Sequence, residues 1–147
     1  MFFFGGDQKK DIILFYLKLK KMNREIKFRL YSDSLRVMYS PENQIGNLWS
    51  IKEAPNGIVK TDNGDVLMQF IGIKDCDGKD IYENDIVECE IEQTIGDDIN
   101  ITGVVLWSGC GYYEVLFPDY GQSMEMSGII SMRVIGNDIQ NPELLQS

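Results

Sequence analysis

The residues with most scope for chemistry lie in one short stretch. Asp75 and the ten residues after it, CDGKDIYEND, hold five carboxylates: Asp75, Asp77, Asp80, Glu83 and Asp85. Oxygen ligands at that density are what a hard cation needs. An EF-hand loop, however, wants carboxylates at positions 1, 3 and 5, glycine at 6 and Glu at 12. Here Gly78 follows Asp77 at once and Asp80 comes after it, so the order is wrong. A different cation site built from Asp75, Asp77, Asp80 and Glu83 stays open beside a simpler account. Asp77-Gly78 is the dipeptide favoured in two-residue hairpin turns, where both central residues take positive φ. The turn is the expectation, with no metal and no cofactor.

Other constellations fare no better. SGCGYY sets Cys110 among glycines as a nucleophile would be set, but the chain contains no histidine to make its thiolate. The same absence removes Ser-His-Asp and Cys-His arrangements, the usual general base and the commonest metal ligand. Glu88, Glu90, Glu92 and Glu114 could supply a glycosidase-like carboxylate pair. Carboxylates at every second position of a strand are more simply a solvated face. Trp49, Trp107, Tyr112, Tyr113 and Phe117 could form an aromatic binding surface, with core packing the expected use of at least half of them. The chain is therefore expected not to be an enzyme, with no catalytic, cofactor-binding or metal-binding residue.

The elements that position these residues are mostly strands. REIKFRLYSDSLRVMYS alternates, with Ile26, Phe28 and Leu30 on one face and Lys27, Arg29 and Tyr31 on the other. After Ser32-Asp33-Ser34, Leu35, Val37 and Tyr39 resume the pattern, as in a hairpin with one buried face. Residues 41–65 are irregular, punctuated by proline, glycine and asparagine; Leu48, Trp49 and Ile51 are expected to form a short strand or a turn of helix that caps the core. VLMQFIGIKD reads as a central strand buried on both faces. IVECEIEQ follows, then two strands joined at Ser108 to Gly111, a loop DYGQSMEMSG, and a last strand IISMRVIGN. Asn141 before Pro142 is placed to cap a single helical turn. Short strands with glycine-marked turns predict a mainly β fold, a small barrel or packed antiparallel sheets with hairpins and a short N-terminal helix; α+β is the alternative.

Length and charge bound the function. At 147 residues the chain suggests one domain with small additions. It carries 23 acidic against 14 basic residues, net −9, which disfavours binding to phosphate backbones. The basic residues that remain for such contact are Lys9, Lys10, Lys18, Lys20, Lys21, Arg24, Lys27 and Arg29. Cys76, Cys89 and Cys110 are odd in number and widely spaced, unlike a disulfide framework, and fit a reducing cytoplasm.

Residues 1–21 read differently. The apolar run Ile12 to Leu17 is far too short to span a bilayer, and no cleavage pattern follows it. Asp11 to Lys21 is predicted as a short helix, acidic at its start and basic at its end. It is either a docking or membrane-surface helix, or an appended extension from an upstream start with Met22 the natural beginning; the second is preferred. Taking away its five Lys and two Asp leaves 9 basic and 21 acidic residues, net −12, for residues 22–147.

Three segments resemble the YopX family of prophage proteins from Gram-positive bacteria and their phages. MNREIKFRLY resembles the family's opening, LMQFIGIKDCDGKDIYENDIVE its central signature, and VIGNDIQNPELL its terminal one. The likeness covers roughly Met22 to Leu145. Ile71 stands where threonine is usual, Cys76 where a polar residue is common, and Asn84 where glycine is usual. Asparagine tolerates the left-handed conformation better than most residues, so the fold expectation is unaffected. The resemblance implies a mainly β fold, a prophage setting, and no established activity or catalytic residue. The expected role is a non-enzymatic accessory protein that binds protein or self-assembles. An acidic mimic of nucleic acid or a regulator of a basic host protein is the alternative, and a weakly nucleic-acid-binding small barrel the remaining one.

Overall fold

The computed structural model describes residues 5–20, 25–39, 51–53, 59–61 and 64–146. Among these the protein is mainly β, with two antiparallel sheets and one N-terminal helix. Strands β1 (Phe28–Ser32), β2 (Val37–Tyr39), β3 (Ile51–Glu53), β4 (Val59–Thr61), β5 (Val66–Lys74) and β6 (Asp80–Tyr82) make the first sheet, in the order β2-β1-β5-β4-β3 with β6 also on β5. Strands β7 (Asp85–Ile91), β8 (Ile99–Trp107), β9 (Tyr113–Phe117), β10 (Gln122–Glu125) and β11 (Ser131–Asn137) make the second, in the order β10-β9-β8-β7-β11. The helix α1 (Gly6–Lys20) starts five residues before Asp11, and its apolar residues from Ile12 to Leu17 are all exposed.

Each sheet has its own core. Tyr31, Val66, Met68, Phe70 and Tyr82 cluster on the first sheet; Ile81, Val87, Cys89, Ile91, Val105, Val115, Phe117 and Met132 cluster on the second. The short strand β6 joins them. Successive residues of a strand point to opposite faces, so Ile81 enters one core and its neighbour Tyr82 the other. Gly103 stands in β8, opposite Val87 of β7 and close against β9. A Cβ there would collide with the Val115 side chain and lie 2.8 Å from both the Leu116 carbonyl oxygen and the Phe117 ring.

Several expectations need correction. β1 is not half-exposed: Arg29, Leu30, Tyr31 and Ser32 are all buried, because β1 lies between β2 and β5 and the second sheet reaches Arg29. Ile26 and Leu35 lie on the surface, and the turn between β1 and β2 runs through Arg36 at φ +55°. β5 is buried on one face only, at Val66, Met68 and Phe70, and its last three residues are exposed. The irregular segment contains the β3–β4 hairpin, whose first strand starts at Ile51, where a short strand was one of the two expectations; the methionine loop contains β10. The polar pattern of QSME hid that edge strand, whose outer face needs no apolar residues. Asn141 does not cap the 3-10 turn Pro142–Leu145; its Oδ1 accepts from the Asn137 N–H at 3.3 Å instead. Leu48 and Trp49 lie outside the described residues, as do Lys21 and Arg24.

Candidate functional site

The acidic stretch is folded around its own carboxylates. Asp75 Oδ1 accepts from the backbone N–H groups of Asp77 and Lys79, both at 2.9 Å, and Oδ2 from that of Val134 at 3.0 Å. Burial works to raise the Asp75 pKa, but these three donors outweigh it and hold the group below its ordinary value. The Gly78 N–H bonds the Asp75 carbonyl at 3.0 Å, the Asp75 N–H bonds the Lys79 carbonyl at 2.7 Å, and Gly78 takes φ +80°. Asp77 does not have positive φ. The connection is therefore a three-residue loop, Cys76-Asp77-Gly78, in which a type I turn is followed by a left-handed glycine, and not the two-residue type I′ turn that Asp77-Gly78 suggested.

The remaining carboxylates are also engaged. Asp77 pairs with Arg133 at 3.0 Å. Asp80 pairs with Lys74 at 2.7 Å and with Lys27, and these bonds overcome burial to keep its pKa below the ordinary value. Glu83 ties the sheets together: Oε2 accepts from the Gln69 N–H of β5 at 2.9 Å, and Oε1 from the Tyr113 hydroxyl of β9 at 3.2 Å. Asp75, Asp77, Asp80 and Glu83 are thus brought near one another in sequence but satisfied separately, and no metal-binding cluster of His, Cys, Asp or Glu occurs among the described residues.

At the sheet-to-sheet corner, Asp85 is 1% exposed and pairs with Arg29 Nη2 at 2.6 Å, while its other oxygen accepts from the Tyr82 N–H at 2.8 Å. Burial pushes the Asp85 pKa up, and Arg29 opposes it. The Arg29 guanidinium also lies over the Tyr82 ring, 4.7 Å from its centre. Asn84 turns the corner at φ +67°, the conformation that its place in the signature implied; its carbonyl accepts from the Asp138 N–H at 2.9 Å. The central and terminal signatures meet there. Asp138 carries a buried Oδ1 with no hydrogen-bond partner. Burial, opposed by Arg29 and reinforced by Asp85, raises its pKa to about 6. Neither this unpartnered oxygen nor the Arg29–Asp85 pair was legible in the sequence; the only signal was the presence of both residues inside family-like segments.

Cys110 is exposed and its N–H bonds the Ser108 hydroxyl at 3.0 Å. Cys89 is buried in the second core, where burial and then Glu88 push its thiol up to about 12. Glu90 and Glu114 accept from Ser131 and Ser123, each at 3.0 Å. Of the candidate cations for phosphate contact, Arg29 is buried in its ion pair and Lys27 is bound to Asp80 and Glu25.

An open cleft of about 400 Å³ lies between the exposed end of β5 and the second sheet. Ile71, Ile73, Tyr112, Tyr113, Glu125, Met126 and Ser127 line it. Tyr113 also meets Trp107 edge-on, with ring centres 4.9 Å apart, and Trp107 and Tyr112 are 49% and 40% exposed. Of the expected aromatic surface, these three stand together near the cleft; Phe117 belongs to the core, and Trp49 is outside the described residues. Apolar walls with a few polar groups are the usual lining of a binding site.

No curated protein is similar enough to be matched to this chain. Among solved structures, the crystal structure of protein EF1440 from Enterococcus faecalis is similar, with a TM-score of 0.53 and 23% identity, over 84% of this chain and 100% of that one. At that identity the likeness shows the fold alone. The profile of the YopX protein family matches residues 12–146, beginning within α1 and so earlier than the likeness read from Met22. With that match over nearly all of its length, the chain belongs to the YopX protein family.

Proposed function

We propose that this protein is a non-enzymatic prophage accessory protein that acts by binding protein, using the cleft between its two sheets. The observation that carries this is the cleft itself: Ile71, Ile73, Tyr112, Tyr113 and Met126 present apolar and aromatic surface on a rigid β frame. Tyrosine and tryptophan are favoured at such surfaces because one end is apolar and the other polar. The prophage setting is what membership of the family implies. Free thiols at Cys76, Cys89 and Cys110 suit a reducing cytoplasm, and no described helix is long and apolar enough to cross a membrane.

The engagement of Asp75, Asp77, Asp80, Glu83 and Asp85 within the fold weighs against an acidic mimic built on that stretch. The engagement of Lys27 and Arg29 weighs equally against nucleic acid. Cross-linking in host lysate with mass spectrometry, together with light scattering of the purified chain, tests the proposal. A specific protein, either another chain or a second copy, should be held by the wild type and lost from Ile73→Glu. A strict monomer with no retained partner, or equal retention by the variant, would refute it.

A further inference from the structure

The helix α1 carries six consecutive apolar residues, Ile12 to Leu17, each between 47% and 64% exposed. At about 3.6 residues per turn, such a run covers the whole circumference. Such a helix presents an apolar side chain in every direction, so it can offer one to a partner whichever face docks. A helix lying on a membrane segregates its apolar residues to one face, and this one does not. Lys9, Lys10 and Lys18 stand on either side of the run. Its fitting partner is apolar with an acidic margin.

The cleft between the sheets has that character. Its walls are Ile71, Ile73, Tyr112, Tyr113 and Met126, with Glu125 at the rim. Glu125 stands directly opposite Glu114 in the β9–β10 pair, where like charges are destabilising. Among the described residues neither carboxylate pairs with a cation. Both act to raise the pKa of Tyr112, beside them on the cleft wall, after burial and Cys110. The pair lacks a positive charge that the chain carries elsewhere.

We propose that α1 of one copy docks on the cleft of a second copy, with its lysines against Glu114 and Glu125. This rests on the cleft being the interaction site named above. A space of about 400 Å³ is too small for a whole helix, whose diameter is about 10–12 Å. It accepts one or two side chains from successive turns, such as Ile12 and Phe15, as in helix-in-groove recognition. Exchange in both directions gives a closed two-fold dimer.

Light scattering of the full chain at micromolar concentrations and two salt levels tests this, using the wild type, Phe15→Glu, Glu125→Lys and Glu125→Lys combined with Lys18→Glu. Phe15 and Glu125 are exposed, so the variants leave both cores intact. The wild type should have the mass of a dimer and Phe15→Glu that of one chain. Glu125→Lys should weaken association about tenfold or more, and the added Lys18→Glu should restore part of it. A wild type of single-chain mass, or a dimer that every variant leaves intact, overturns the proposal. So does a single-chain wild type that sediments with phosphatidylserine vesicles, which would assign α1 to a membrane surface. A single-chain mass leaves the wider protein-binding function to its own test, which fails only if Ile73→Glu retains the same partners as the wild type or nothing is retained at all.

Discussion

Replacing Asp138 by asparagine should stabilise the protein near neutral pH. Asp138 has a buried oxygen without a partner, close enough to Asp85 for the two charges to repel, and its pKa is raised from 3.8 to about 6. A shift of about two units corresponds to ~3 kcal/mol between the protonation states. The value of about 6 already includes the opposing attraction of Arg29, and partial exposure reduces the gain further, so the expected gain for Asp138→Asn at pH 7 is about 1–3 kcal/mol. The sign follows from the raised folded pKa. The protonated group fits the fold best, so its contribution is fully present below the unfolded value of 3.8 and is lost as pH rises through about 6. Asp75 and Asp80, whose pKa values are lowered, contribute in the opposite sense: their stabilisation is present above the unfolded value and lost as pH falls through the folded one. Both proteins share that trend, so it cancels in the difference. Urea unfolding of the two proteins across this pH range isolates the effect. The variant's advantage should be small at the acid end and grow to its plateau above pH 6. A variant less stable than the wild type at neutral pH would refute the reasoning, since attraction to Arg29 would then outweigh burial. A difference that does not vary with pH would refute it equally.

Three other outcomes are expected. Arg29→Met leaves the Asp85 carboxylate buried and unpaired and should cost about 3–5 kcal/mol, read as a lower urea midpoint at neutral pH; a loss under 1 kcal/mol, by the same order-of-magnitude scale, would show that Asp85 is neutral there. Gly103→Ala forces a methyl group against Val115, Leu116 and Phe117 and should cost about 1–3 kcal/mol, measured as a shift in midpoint at unchanged slope. In a thiol titration of the native protein, the exposed Cys76 and Cys110 should react readily, while the buried Cys89, its thiol pushed up to about 12, should react only on unfolding.

Much of the β architecture was legible because alternation and turn residues are local signals. The strands around Val87, Val105 and Val115 and the turn glycine at position 78 follow from β-branched runs and from the need for positive φ. Asn84 at φ +67° was equally legible as a substitute for glycine. The cleft was not, because Ile71 and Ile73 are 39 or more residues from Tyr112 in the chain and nothing local brings them together.

By itself the sequence determined the mainly β class, the family and the absence of imidazole chemistry, since these depend on residue type and local order. Only the tertiary structure decided what the charges do. Arg29 looked like an exposed cation by alternation, yet it is buried against Asp85, because alternation tells which residues share a face and not whether a second sheet covers that face. Ile81 and Tyr82 read as adjacent apolar residues, and the fold sends them into separate cores. The carboxylates from Asp75 to Asp85, four of which left a cation site open beside the expected turn, serve as acceptors for the protein's own donors. Their partners Val134, Arg133, Lys27, Gln69, Tyr113 and Arg29 come from distant parts of the chain, and only folding brings them within hydrogen-bonding distance.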